Sequence, residues 1–72
     1  MLVPILALLL NINQAEEDED FDKAKAMNVE LLRLIKEQLG SGTKAEDLTE
    51  LLHAAGWDDW RVDDAGNFVE IQ

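Results

Sequence analysis

The stretch Phe21-Asp22-Lys23-Ala24-Lys25-Ala26-Met27-Asn28-Val29-Glu30-Leu31-Leu32-Arg33-Leu34-Ile35-Lys36-Glu37-Gln38-Leu39-Gly40 carries the clearest periodicity in the chain. Spaced at about 100° per residue, Phe21, Ala24, Met27, Leu31, Leu32, Leu34, Ile35 and Leu39 share one broad arc. Asp22, Lys23, Glu30, Arg33 and Glu37 fall opposite. This is an amphipathic helix, and the width of its apolar arc calls for two neighbours. Asn28 and Gln38 lie inside the arc, so each needs a hydrogen-bond partner once buried. Glu19 with Lys23, at i,i+4, and Glu30 with Arg33, at i,i+3, are spaced for ion pairs on a helix surface, each worth about 0.2–0.5 kcal/mol.

Working toward the C-terminus, Gly40-Ser41-Gly42 supplies the positive φ angles that end the helix and reverse the chain. Thr43 followed by Glu46 has the form of a capping box. Ala45, Leu48, Leu51, Leu52 and Ala55 then share a face, with Gly56 as the C-terminal stop. So short a connection predicts an antiparallel helical hairpin, about 16–39 and 44–55. Beyond Gly56 the pattern changes. Asp63 and Gly66 fit a type I turn closed by a left-handed glycine, which predicts a β-hairpin over about 59–71 with Val62 facing Phe68. Trp60 lies on the same side of that hairpin as Val62, and Arg61, Val69 and Ile71 on the other. The expectation is therefore that Trp60 is core and Trp57 is exposed, so that removing the Trp57 side chain spares the fold.

Working toward the N-terminus, six of the seven residues from Glu16 to Asp22 are acidic, interrupted by Phe21. Carboxylates are favourable in the first turns of a helix, and Asn13 with Glu16 is a capping pattern, so the helix is expected to begin near residue 16. Met1 to Leu10 contains no polar side chain. The run is shorter than the roughly 20 apolar residues a membrane span needs. It is also a poor secretory signal: no basic residue precedes it, Pro4 interrupts it, and the only candidate cleavage site, after Ala15, has bulky Asn13 at the third position upstream. Residues 1–12 are thus expected to be a core or oligomer-interface element, with Leu2, Ile5, Leu6 and Leu9 between copies of a homo-oligomer, most simply a dimer. Its leucines and Pro4 in a first turn favour a helix; a two-sided buried strand is the alternative. The fold class is α+β, mainly α, in one small domain spanning 1–72.

Of the 72 residues, 47% are apolar and 31% charged, with 16 acidic side chains against six basic ones for a net charge of −10. That balance argues against direct nucleic-acid binding, which needs clustered Lys and Arg. The absence of Cys excludes disulfides, thiolate metal sites and a Cys nucleophile, and a single His is too little for an imidazole cage. Asp18, Asp20 and Asp22 begin a calcium-loop spacing, but Lys23 and Val29 stand where Gly and a bidentate Glu are required. Gly40 to Lys44 looks like a phosphate loop in outline only, without the strand or the full spacing. His53 falls on the polar face of its helix, where solvation is expected, and Ser41, Thr43 and Thr49 suggest no catalytic triad. Neither a metal nor a cofactor is expected, and the chain is not expected to be an enzyme.

Trp57 and Trp60 bracket two aspartates and precede Arg61, and Trp and Arg are the residues most enriched at binding hot spots. Trp57, Asp58, Asp59 and Arg61, together with Glu17, Asp18 and Asp20 of the acidic run, are accordingly the expected partner-binding residues. The function this points to is a regulatory or inhibitory protein that docks on a basic protein partner. A sharper form is mimicry of nucleic acid in a basic groove, as in small phage-encoded inhibitors. The short length, acid excess and lack of Cys are shared with small phage and plasmid accessory proteins, a likeness of composition that defines no family. Two other readings are an assembly subunit acting through a homo-oligomer and a small-molecule binder that stacks a planar ligand on Trp57. A cytoplasmic location is expected, or export if the N-terminal segment is a signal.

Overall fold

Three helices precede a short β-hairpin in the computed structural model of the chain, which describes residues 2–71. Helix α1 spans Val3–Glu17, α2 Phe21–Gly40 and α3 Ala45–Ala54, followed by strands β1, Trp60–Val62, and β2, Phe68–Glu70. The α+β, mainly α class holds, and the N-terminal element is a helix with Pro4 in its first turn, where a missing N–H costs nothing. It does not stop at Ile12. α1 runs through Asn13 to Glu17, and α2 starts at Phe21, not near residue 16. The capping pattern goes unused because the Asn13 side chain is engaged elsewhere, with Ala55 and Trp57.

All three helices end in the same way. In each, a residue with positive φ follows the C-cap, its N–H bonds back three residues, and the next N–H bonds back five, as in the Schellman motif. At α1 these bonds run from Glu19 to Glu16 and from Asp20 to Ala15, at 3.0 and 2.9 Å; at α2 from Gly42 to Leu39 and from Thr43 to Gln38; at α3 from Gly56 to His53 and from Trp57 to Leu52. Glycine fills the left-handed position in the last two, but in the first it is Glu19, at φ 58. Gly40 is simply the last residue of α2, so Gly42 alone makes the reversal. The Thr43–Glu46 capping box is also absent: Lys44 is the N-cap of α3 and its side chain makes no cap bond. The Thr43 hydroxyl instead donates to Gln38 Oε1 at 3.0 Å, which supplies the partner Gln38 needs.

The tightest helix packing is α1 on α2, across a three-residue connection that keeps their joined ends close, whereas α3, expected to pair with α2 as a hairpin, packs chiefly on β1. Ile5, Leu9, Ile12 and Ala15 of α1 meet Ala24, Leu31 and Ile35 of α2, while α3 adds Leu48 and Leu52. Each fully buried Leu or Ile contributes about 1.5–3 kcal/mol of hydrophobic stabilisation. Two corrections follow. Ile5 and Leu9 lie inside this chain's own core, so they cannot form a surface between copies; Leu2 and Leu6 are half-buried. Phe21, expected in the apolar arc of α2, is exposed at its first turn.

The hairpin has the expected register, with Val62 opposite Phe68, Arg61 opposite Val69 and Trp60 opposite Glu70. Its turn is closed by the Gly66 N–H on the Asp63 carbonyl at 3.0 Å, and Asp63 Oδ1 accepts from Ala65 and Asn67 N–H, each at 2.9 Å. Gly66 is buried beneath α2, where an added Cβ would stand 2.7 Å from Lys36 Cγ. The other edge of β1 is satisfied by α3. Thr49 Oγ1 accepts from Val62 N–H at 2.9 Å, and His53 Nε2 lies 2.8 Å from the Trp60 carbonyl. His53, expected to be solvated, is therefore half-buried and acts as one of two helix side chains that cover a strand edge.

Candidate functional site

One groove, of about 710 Å³, opens between the C-terminal half of α1, the N-terminal half of α2 and the segment that leads from α3 into β1. Its apolar wall is made by Ile12, Ala24, Trp57, Trp60 and Phe68. Its polar wall is made by Asn13, Glu16, Lys25, Asn28, Asp58 and Asp59. Three of the chain's four aromatic side chains thus face a single depression, bordered by three carboxylates and one ammonium.

The two tryptophans have exchanged the roles expected of them. Trp57 is half-buried: its Nε1–H donates to Asn13 Oδ1 at 2.7 Å, and its ring meets Phe68 edge-on, with centroids 6.0 Å apart and planes at 75°. Asn13 Nδ2 in turn donates to the Ala55 carbonyl at 2.9 Å, so one amide ties α1 to both the end of α3 and the indole. The cause is the turn at Gly56, which sends the Trp57 N–H back to Leu52 and folds its side chain over the helices. With Trp57 and Phe68 filling that side of the hairpin, Trp60 is left 39% exposed, even though Val62, two residues along, is buried. Trp57 is accordingly not a free stacking platform, and Trp60 is the accessible aromatic.

Asn28 is the other feature of the groove wall. Its Oδ1 is buried and has no hydrogen-bond donor, whereas Gln38, the other polar residue of the α2 apolar arc, found one. An unsatisfied buried acceptor costs about 1–3 kcal/mol.

Of the residues expected to bind a partner, the fold gathers Trp57, Asp58 and Asp59 on the groove. Arg61 projects from the opposite side of β1 and is exposed. Glu17, Asp18 and Asp20 stand outside the groove walls, exposed at the end of α1 and in the α1–α2 turn, where Asp18 accepts from the Gln14 amide and Asp20 caps α2 through Lys23 N–H. Glu16 and Glu17 belong to the last turn of α1, the negative end of its dipole, so their charge opposes the helix field and does not complement it. Sequence reasoning missed Asn13, Glu16, Lys25, Asn28, Trp60 and Phe68 as groove residues. The signal available for Asn13 was its place within a long apolar run, where a polar side chain needs a partner.

No family model, curated protein or solved structure matches this chain. Among the described residues, no helix is long and apolar enough to cross a membrane.

Proposed function

We propose that this chain is a non-enzymatic docking protein that engages a partner through a basic surface, inside the cell, and regulates it by occupancy. The observation that carries this reading is Trp60, an exposed indole at a groove whose rim is predominantly anionic. Trp at such a place supplies contact area, and the surrounding carboxylates steer a cationic partner and select it over anionic ones. The acidic residues of the α1–α2 turn support the same reading by adding to the anionic field that steers a cationic partner toward the groove. The test compares capture of basic proteins by the wild type and by Trp60→Ala, at low and at raised ionic strength. Capture should fall with salt and fall again with the substitution; an unchanged set of captured proteins in Trp60→Ala at low salt contradicts the reading.

A second reading, self-association, draws on the outer face of α1. Val3 is 64% exposed and Leu10 52%, and with Leu6 and Ala7 they form a stripe on a helix that has no charged residue before Glu16. A charge-free stripe offers nothing to a basic partner and suits a second copy. Antiparallel pairing would set the acidic C-terminal end of each α1 against the positive dipole end of the other. Mass measurement across a dilution series tests it, with Leu10→Glu as the variant that should remain monomeric. A monomeric wild type at high concentration contradicts it.

A further inference from the structure

Resting on the docking reading, we propose that the groove is a receptor for one arginine side chain of the partner, with the guanidinium stacked on Trp60 between Asp58, Asp59 and the Asn28 amide. The volume, about 710 Å³, lies within the usual range for ligand sites of roughly 300–1,000 Å³. Its charge sets the sign of the occupant. Glu16, Asp58 and Asp59 outnumber Lys25, so a phosphate or carboxylate is repelled and a cation attracted.

The aromatic wall sets the shape. A guanidinium is planar, weakly hydrated and rich in N–H donors, so it stacks on an indole while its edge bonds to carboxylates. A Lys ammonium offers a point charge and no plane to stack. The wall is also held in advance: Trp57 is fixed by Asn13 and by Phe68, so seating a side chain beside it orders little that was free.

Asn28 supplies the remaining demand. Its buried Oδ1 lacks a donor within the chain, and rotation of the amide toward the groove would let a guanidinium N–H satisfy it. An aliphatic or anionic occupant has no N–H to offer. The three preferences therefore coincide on one side chain.

The test uses the two tryptophans as reporters. A capped pentapeptide, Ala-Ala-Arg-Ala-Ala, is titrated into the full chain at low salt and followed by fluorescence, beside the same peptide with citrulline, the neutral isostere, in place of arginine. Saturable binding is expected, weakened roughly tenfold by citrulline and roughly tenfold by Trp60→Ala, with Trp60→Phe retaining part of the affinity. Circular dichroism confirms that each variant is folded, and titration calorimetry reads the binding of Trp60→Ala without relying on either indole. Asp58→Asn with Asp59→Asn should weaken binding without removing the stacking platform. Equal affinity for arginine and citrulline, or undiminished binding by folded Trp60→Ala, overturns the proposal. Poly-lysine distinguishes the two levels: if it binds and the arginine peptide does not, this inference fails and the broader docking reading stands. If neither binds, both fail.

Discussion

Asn13 and Trp57, 44 positions apart in the sequence, are joined by a 2.7 Å hydrogen bond from the indole N–H to the amide oxygen. The same amide holds the Ala55 carbonyl through its nitrogen, so both of its functions are used and neither is interchangeable. Replacing Asn13 by Ala leaves a part-buried donor and a part-buried acceptor without partners, which should cost about 2–3 kcal/mol. Asn13→Asp should cost a similar amount, since it keeps the acceptor for Trp57 but turns an oxygen toward the Ala55 carbonyl. Chemical denaturation of the two variants checks both statements.

The exchanged roles of the tryptophans give a second expectation. Trp57→Ala should remove about 3 kcal/mol, a large share of what so small a domain holds, because the indole is bonded to Asn13 of α1 and packs edge-on against Phe68. Trp60→Ala should change stability by less than about 1 kcal/mol. Thermal melts rank the two, and equal losses would contradict the assignment.

Two left-handed positions should respond in opposite directions. Glu19 adopts φ 58 without the freedom of glycine, so Glu19→Gly should stabilise by about 0.5–1 kcal/mol after allowing for the added entropy of the unfolded chain. Gly66→Ala should destabilise by about 1–2 kcal/mol from the backbone alone. It should then lose more from the contact at Lys36 Cγ. The melting temperatures of the pair should therefore diverge from the wild type on either side.

Acid should loosen the hairpin turn. Bonds from the Asn67 backbone N–H above all, and from Ala65, hold the Asp63 carboxyl below its ordinary value of 3.8. A carboxyl with a depressed native pKa stabilises fully above its unfolded value and loses that contribution as pH falls through the native one. The Asp63 contribution is thus complete at neutral pH, begins to fall near pH 4 and is lost once pH drops below the depressed native value. Asp63→Asn should flatten that part of the stability–pH curve, as measured by denaturation between neutral pH and about pH 2.

Much of the architecture was legible in local pattern. The 3.6-residue period of α2, the face of α3 and the Asp63–Gly66 turn all act through neighbours in sequence, and each stands as expected. The helix boundary near residue 16 was not legible, because Asn13 can cap a helix or reach across the fold, and the choice rests on a residue 44 positions away. The two tryptophans were misassigned for a related reason. Strand alternation places Trp60 beside Val62, but a three-residue strand leaves its first side chain at the margin of the core, and Trp57 arrives there first by way of the Gly56 turn. The groove therefore became visible only when α1, α2 and the hairpin were brought together. Asp58 and Asp59 were legible from the flanking tryptophans, whereas Glu16, Lys25 and Asn28 join them through helix packing alone.

The central claim, that a basic partner is received at the groove and not along the acidic turn, is tested most directly by nuclear magnetic resonance. The two indole N–H signals of Trp57 and Trp60 are followed with the backbone amides during titration with an arginine-containing peptide. Movement of the Trp60 indole together with the Asp58 and Asp59 amides, with the Trp57 signal held nearly in place by Asn13, is the predicted result. Shifts concentrated at Glu17, Asp18 and Asp20 with an unmoved Trp60 indole would contradict it.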